Sequence, residues 1–110
     1  MPLEQRVPCL SISEKAFQQQ VIDLAAYLSY MHYHTHDSSR SVSGFPDLVL
    51  IRPAREDRSA RMLVAELKVG KNTTTPAQRL WLTAFAACRI ETYVWYPRDW
   101  DEIVETLKRT

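Results

Sequence analysis

Three ionisable side chains accompany two apolar runs of the chain: Asp47, Glu66 and Lys68. Asp47 directly precedes the run Leu48–Ile51, whereas Glu66 and Lys68 lie within the run Met62–Val69. Both runs have strand length and β-branched content, and they flank a polar connection, which is the pattern of a β-hairpin. Charged groups are costly inside a sheet unless a partner or a metal compensates them, so their positions indicate a site.

Pairing of the two runs would bring two carboxylates together. If Ile51 lies opposite Met62 in an antiparallel hairpin, Asp47 lies opposite Glu66, and directly opposed Cβ atoms are roughly 4.5–5.5 Å apart. The two carboxylates would repel each other, and a divalent cation would offset the repulsion. Carboxylate oxygens, the Leu67 backbone carbonyl and waters form the hard oxygen set that Mg²⁺ prefers. The sequence therefore predicts a metal site.

The same residues carry a family resemblance. Gly44-Phe-Pro-Asp47, then Glu66-Leu-Lys68, then Gln78 resembles the PD-(D/E)XK nuclease superfamily and, within it, the VRR-NUC domain, the virus-type replication-repair nuclease. The resemblance covers nearly the whole chain, from Glu14 in the predicted first helix to the C-terminal strand and helix. It implies a small α/β domain that cleaves DNA phosphodiesters with Mg²⁺ or Mn²⁺.

The resemblance also implies a role for each motif residue. Asp47, Glu66 and the Leu67 carbonyl would hold the metal. Lys68, on the Glu66 face by strand alternation, would orient the nucleophilic water. Gln78 would assist at the water or the scissile phosphate. Glu14 would lie in the outer shell of the metal or at a second ion.

Helix capping gives both of these assisting residues a second explanation. Ser11 and Glu14 fit a capping box at the start of the first helix. Thr75 fits the N-cap of the second helix, with Pro76 in the first helical position and Gln78 in the third. From the sequence alone, capping and function remain open for Glu14 and Gln78.

The element order predicts the fold class. Helix, extended segment, hairpin, helix, strand and helix follow one another, and apolar residues on both hairpin faces indicate central strands covered by helices. The strands joined by the second helix should be parallel, through a right-handed crossover. We expect an α/β fold with a restriction-endonuclease-like mixed β-sheet flanked by helices, built on an α-β-β-β-α-β core. Residues 1–110 should form a single VRR-NUC-like domain, with 1–10 as an N-terminal arm.

The extended segment before the hairpin contains three alternating histidines, His32, His34 and His36. An extended backbone would present all three on one side, so a zinc site is one hypothesis. The other is a polar strand or loop that leads to the active site. Contacts with nucleic-acid phosphates are expected from side chains near the site and near the start of the second helix; these are Lys71, Arg79, Arg40, His34 and His36.

Composition restricts the functional classes. The formal charge is +1, so phosphate contacts must come from a local patch. We find neither an apolar run of membrane-spanning length nor a signal-peptide pattern. Cys9 and Cys88 form neither a disulfide framework nor a metal motif. These features predict a cytoplasmic protein, encoded by a bacterium or phage, without a membrane partner.

Together these observations predict a metal-dependent DNA endonuclease of replication, repair or recombination that is selective for branched DNA such as a four-way (Holliday) junction. Two incisions in one junction require two sites, so we expect a homodimer. Its dimer patch could be formed by Trp95, Tyr96 and Trp100, although core packing explains these side chains equally well. Duplex DNA and a helicase or another replication or repair protein are further candidate partners. The alternatives are a non-catalytic nucleic-acid-binding module and a nuclease subunit that is active only with a partner.

Overall fold

A mixed β-sheet and three helices make up the part of the chain described by the computed structural model, residues 11–35 and 42–110. The elements are α1 (Glu14–Tyr27), β1 (Met31–His34), β2 (Leu48–Arg52), β3 (Arg61–Leu67), α2 (Pro76–Ala87), β4 (Glu91–Trp95) and α3 (Trp100–Lys108), the last preceded by a 3₁₀ turn, Pro97–Asp99. This order confirms the predicted mixed α/β class. The predicted N-terminal arm, 1–10, lies outside the described residues.

The sheet has the order β1-β2-β3-β4. The pairs β1–β2 and β2–β3 are antiparallel, and β3 and β4, joined by α2, are parallel as predicted. Ile51 pairs with Met62, which confirms the predicted hairpin register. The histidine segment forms β1, so the polar-strand interpretation is correct for His32 and His34.

One face of the sheet is covered along β2 and β3, whereas His32 of β1, which lies on the same face opposite Leu50, is exposed. The inward side chains of β2 and β3 belong to a single buried cluster with α1 and α3; the cluster includes Leu48, Leu50, Leu63, Ala65 and Leu67 from the strands, Phe17, Val21 and Leu24 from α1, and Ile103 and Leu107 from α3. The apolar sides of α1 and α3 therefore pack on β2 and β3. This packing fixes the positions of the residues that project from the opposite face of the sheet.

The opposite face is covered only in part. The helix α2 packs on β3 and β4, and Val64 on this face is completely buried. Farther from α2, Ile51 is 40% and Met62 37% exposed. The prediction of helices on both faces is thus correct for the β3–β4 side of the sheet and wrong for the β1–β2 side.

The first helix begins two residues later than predicted. Ser13, and not Ser11, is the N-cap of α1, and its hydroxyl accepts a hydrogen bond from the Ala16 backbone N–H at 3.1 Å. Ser13 is favoured because its carbonyl accepts the first helical bond, from the amide of Phe17, where the buried stripe of the helix begins. Glu14 is therefore the first helical residue, and its side chain is not needed for a capping box.

Two arginines at the hairpin end have structural roles. Arg52 is 2% exposed and donates to the Arg109 carbonyl at 2.6 Å. Arg61 donates to the Thr106 carbonyl at 2.7 Å and forms an ion pair with Glu91 at 2.7 Å. Arginine suits the end of α3 because its planar fork reaches several helix-terminal carbonyls at once. The hairpin is thereby attached to α3.

Among the described helices, none has the length and apolarity that a membrane crossing needs.

Candidate active site

Three carboxylates converge at one end of the sheet. An oxygen from each of Glu14, Asp47 and Glu66 lies within 4.8 Å of the others. They come from the first turn of α1, the residue before β2 and the body of β3. Within residues 11–35 and 42–110, this carboxylate cluster is the only group of three or more His, Cys, Asp or Glu side chains so arranged that it could hold a metal ion.

Asp47 is held by its neighbours on both sides. Its Oδ2 accepts a hydrogen bond from the Leu67 backbone N–H at 2.8 Å, so the carboxylate is attached to β3. On the other side, the Thr35 amide donates to the Asp47 carbonyl at 3.1 Å, and the Thr35 hydroxyl donates to the Pro46 carbonyl at 3.2 Å. The backbone N–H of Leu67 therefore lies beside the cluster. The role of the Leu67 carbonyl as a metal ligand remains a prediction.

Glu66 is buried and only half satisfied. It is 2% exposed, and its Oε2 accepts a hydrogen bond from Gln78 Nε2 at 3.0 Å. Its Oε1 is buried and has no hydrogen-bond partner among the described residues. Burial, and then the nearby Asp47 carboxylate, raise the pKa of Glu66 to about 8. Oε1 is thus a buried acceptor that a cation could satisfy.

Lys68 brings a positive charge into the same site. Its side chain is largely buried, and its Nζ lies 3.7 Å from Glu66 Oε2. Its backbone amide donates to the Trp95 carbonyl at 2.9 Å, so pairing with β4 fixes the position of the lysine. One ammonium therefore lies next to three carboxylates. The pKa of Glu14 is also raised, by desolvation first and then by the Asp47 carboxylate.

Gln78 forms the predicted capping box and also contacts the carboxylate cluster, while its role at the water or the scissile phosphate remains a prediction. Its Oε1 accepts a hydrogen bond from the Thr75 amide at 2.9 Å, and the Thr75 hydroxyl accepts one from the Gln78 amide, which completes a capping box. Because the cap uses Oε1, the Nε2 group must point towards Glu66. The start of α2 therefore orients one oxygen of a candidate metal ligand.

The loop that leads to Asp47 is packed directly on α2. Gly44 has a φ of +85°, and a Cβ at this position would lie 2.5 Å from the Ala77 backbone carbon. Only glycine accepts both the positive φ and the close approach. Trp81 Nε1 donates to the Ser43 carbonyl at 3.1 Å. The same helix thus positions the approach to Asp47 and, through Gln78, the carboxylate of Glu66.

Two clefts flank the carboxylate cluster. The larger, of about 430 Å³, is lined by Glu14, Lys15, Gln18, His34, Thr35 and Asp47. The smaller, of about 260 Å³, lies towards α2 and is lined by residues that include Thr35, Ser43, Gly44, Asp47, Thr75 and Gln78. Of the predicted phosphate contacts, His34 lines the larger cleft.

The other predicted phosphate contacts lie elsewhere. Lys71 and Arg79 are exposed near the start of α2, and Arg79 donates to the Thr74 carbonyl at 2.5 Å. Neither residue lines the two clefts. Arg40 and His36 lie outside the described residues.

The zinc hypothesis gains no support from the described histidines. The rings of His32 and His34 are stacked with centroids 6.0 Å apart, and neither histidine belongs to the carboxylate cluster. The hypothesis also involved His36, which lies outside the described residues. The described donor set is therefore made of oxygens.

Sequence reasoning missed three residues of the clefts: Lys15, Gln18 and Thr35. Thr35 could have been found, because the β1–β2 register places the residue after His34 opposite the residue before Leu48. For Gln18 the signal was helical spacing, because residues three and four apart share a helix face and Gln18 is four residues after Glu14. Lys15, next to Glu14 in the chain, had no such signal.

The residues present fit a hard divalent cation. Carboxylate oxygens are the ligands that Mg²⁺ and Mn²⁺ favour, and Oε1 of Glu66 is a buried oxygen to which no described residue donates a hydrogen bond. A buried acceptor in this state costs free energy unless a ligand satisfies it. The cluster has the chemistry of a metal-assisted hydrolytic site.

Comparison with known proteins identifies one family. The family model described as VRR-NUC domain matches residues 3–99. No curated protein and no solved structure matches the chain.

Proposed function

Because the chain belongs to the VRR-NUC domain family and is therefore a nuclease domain, we propose that it is a metal-dependent DNA endonuclease whose catalytic centre is the carboxylate cluster with Lys68. The observation that carries this proposal is the buried carboxylate of Glu66, which lies in a cluster with the carboxylates of Glu14 and Asp47 and whose Oε1 has no hydrogen-bond partner among the described residues. An acidic, partly dehydrated site of this kind is unfavourable by itself and becomes favourable with a cation.

The ligands of the cation would be Asp47, Glu66 and the Leu67 carbonyl, with Glu14 in the outer shell or at a second ion. When bound, Mg²⁺ or Mn²⁺ would lower the pKa of water and offset charge on the phosphate. Asp47 is positioned for this role by the Leu67 amide, and Glu66 by Gln78. The protein would contribute a preformed set of oxygens that needs little rearrangement.

Lys68 would act on the reacting atoms. Its ammonium donates hydrogen bonds and accepts none, so it can orient the attacking water and stabilise negative charge that develops on the phosphate. Its position 3.7 Å from Glu66 Oε2 keeps it beside the cluster. Gln78 would support the site through Glu66, as a positioning residue.

Metal removal tests this function directly. We expect EDTA to stop cleavage of labelled DNA, Mg²⁺ or Mn²⁺ to restore it, and Ca²⁺ to bind with little turnover, since the ligands are hard oxygens. The assay uses single-stranded, duplex, flap and four-way junction DNAs, with Asp47→Asn as the control for contaminating nucleases. Full activity in chelator would exclude the proposed mechanism. DNA binding without cleavage under any metal would favour the non-catalytic alternative.

The predicted dimer patch requires a correction. Trp95 and Trp100 are each 2% exposed and belong to the core cluster, and Tyr96 donates its hydroxyl to the Asn72 carbonyl at 2.6 Å. Core packing, the alternative explanation of these side chains, is therefore correct for both tryptophans. They leave little apolar surface for a partner.

The helix α2 offers a better dimer surface. It is rich in apolar residues, yet none of its 12 residues is buried, and Leu80 is 71% exposed. A helix that is apolar around most of its circumference is normally buried. We place the two-fold contact of the proposed homodimer on α2, which would bring two sites to one branched DNA.

Leu80→Glu should separate the subunits. A carboxylate at the centre of an apolar interface would be desolvated without a partner, so light scattering at micromolar protein should change from dimer to monomer. Paired nicks on a four-way junction should become independent single nicks. Tyr27→Glu on α1, which alters a side chain that is 59% exposed, is the matched control. A monomeric parent protein would refute the homodimer and leave the nuclease proposal intact.

A further inference from the structure

The two clefts beside the carboxylate cluster are parts of one groove. Both are lined by Thr35 and Asp47, so they meet at the cluster and continue from it in two directions. One end lies along the first turn of α1, and the other reaches the start of α2 through Thr75. Of the three cluster carboxylates, Asp47 lines both clefts and Glu14 lines the larger one.

The α1 end of this groove carries hydrogen-bond donors. Lys15 follows Glu14 on the helix, and Gln18 lies one turn farther along the same side. His34 of β1 lines the opposite wall. Lys15 is the only lysine or arginine among the described residues that line either cleft. Its side chain is exposed at the groove edge.

A polynucleotide bound at the α1 end of the groove needs a positive charge beside its phosphate. A cation in the cluster can compensate the scissile phosphate, but the next phosphate along the strand lies away from that cation and near three carboxylates. Phosphate contacts with lysine and arginine position nucleic acids on proteins and provide most of the salt-dependent affinity. With a net charge of +1, the protein cannot provide that compensation through its overall field.

We propose that one nucleic-acid strand crosses the active site along this groove and that Lys15 binds the phosphate that flanks the scissile phosphate on the α1 side. Gln18 and His34 line the same subsite. The proposal rests on the proposed nuclease function and adds to it a strand path and a positioning residue. Lys15 contacts the substrate away from the reacting atoms, so it should contribute to binding much more than to the chemical step.

The test combines a protein variant with a modified DNA. Binding of a fluorescent oligonucleotide is measured in Ca²⁺ for the parent protein, Lys15→Ala and Lys108→Ala, the last being the matched control because Lys108 is exposed in the final turn of α3. Each phosphate in turn is replaced by a neutral methylphosphonate. Steady-state cleavage in Mg²⁺ gives kcat and KM for the same three proteins.

Lys15→Ala should weaken binding about 5- to 20-fold and reduce the salt dependence by about one phosphate contact. It should raise KM and leave kcat within about two-fold, because phosphate contacts away from the reacting atoms act equally on ground state and transition state. One methylphosphonate beside the cut should weaken binding by the parent protein and have no further effect in Lys15→Ala, which identifies the contacted phosphate.

Two results would overturn the proposal. The first is a DNA affinity of Lys15→Ala equal to that of Lys108→Ala. The second is that every methylphosphonate weakens binding by Lys15→Ala as much as it weakens binding by the parent protein. Binding by the parent protein that depends on Lys15 without any cleavage would refute the nuclease function and retain the subsite. A parent protein that neither binds nucleic acid in Ca²⁺ nor cleaves it in Mg²⁺ or Mn²⁺ would refute both.

Discussion

Lys68→Ala should lower the DNA cleavage rate by about 100- to 1,000-fold, the usual effect of removing a preorganised donor to developing negative charge. The lysine side chain is largely buried 3.7 Å from Glu66 Oε2, so neither solvent nor a neighbouring residue can easily replace it. The loss should appear in kcat, with DNA affinity in Ca²⁺ nearly unchanged, because the contact is made to the reacting atoms.

The measurement is single-turnover cleavage of a labelled junction at saturating protein. Lys108→Ala controls for the loss of one positive charge far from the site, and the melting temperature with and without Mg²⁺ shows whether fold and metal binding persist. Cleavage by purified Lys68→Ala at the parent rate would disprove the role assigned to the lysine. A variant that no longer responds to Mg²⁺ would instead assign Lys68 to the integrity of the metal site.

Glu66→Gln should abolish cleavage and, in chelator at alkaline pH, raise the melting temperature. Burial and the Asp47 charge raise the pKa of Glu66 to about 8 from the ordinary value of 4.5. The protonated carboxyl therefore favours the folded state: its contribution is fully present below about pH 4.5 and is lost as the pH rises through 8. A shift of this size corresponds to at most about 5 kcal/mol, and each kcal/mol changes the melting temperature by about 4 °C in a domain of this length.

Thermal unfolding in EDTA between pH 5 and 9 tests this expectation. The parent protein should lose stability as the pH rises, Glu66→Gln should show a flatter profile, and Mg²⁺ should stabilise the parent protein most at high pH. Glu102→Gln, which changes an exposed carboxylate of α3, should behave like the parent protein. Equal pH profiles for the parent protein and Glu66→Gln would show that Glu66 is not a destabilised carboxylate.

The opposite effects on activity and stability would have one cause. A buried carboxylate next to another carboxylate destabilises the metal-free fold, and the same arrangement creates the affinity for a cation. Active sites commonly retain such local cost because it is part of their function. The capping box of α2 maintains this arrangement, since Gln78 donates to one oxygen of Glu66, and the other has no hydrogen-bond partner in the described part of the chain.

Local rules were sufficient to determine much of this site from the sequence. Strand alternation and hairpin register depend on neighbouring residues, so the pairing of Ile51 with Met62 and the convergence of Asp47 with Glu66 followed from the positions of the apolar runs. The capping pattern at Thr75 likewise predicted the start of α2. The capping rule was insufficient at α1, because Ser11 and Ser13 have the same chemistry. Ser13 is the N-cap because the buried side of the helix begins in the turn that follows it.

Only the tertiary structure decided which apolar side chains are available to a partner. Periodicity shows that a helix or strand has an apolar side. Whether that side is buried depends on other elements, distant in the sequence, that pack against it. Hence Trp95 and Trp100 lie in the core while Leu80 is exposed. The groove has the same origin: Lys15, Thr35 and Asp47 line one cleft because α1 and the β1–β2 pair meet there, and no local pattern in the sequence records a contact between segments so far apart.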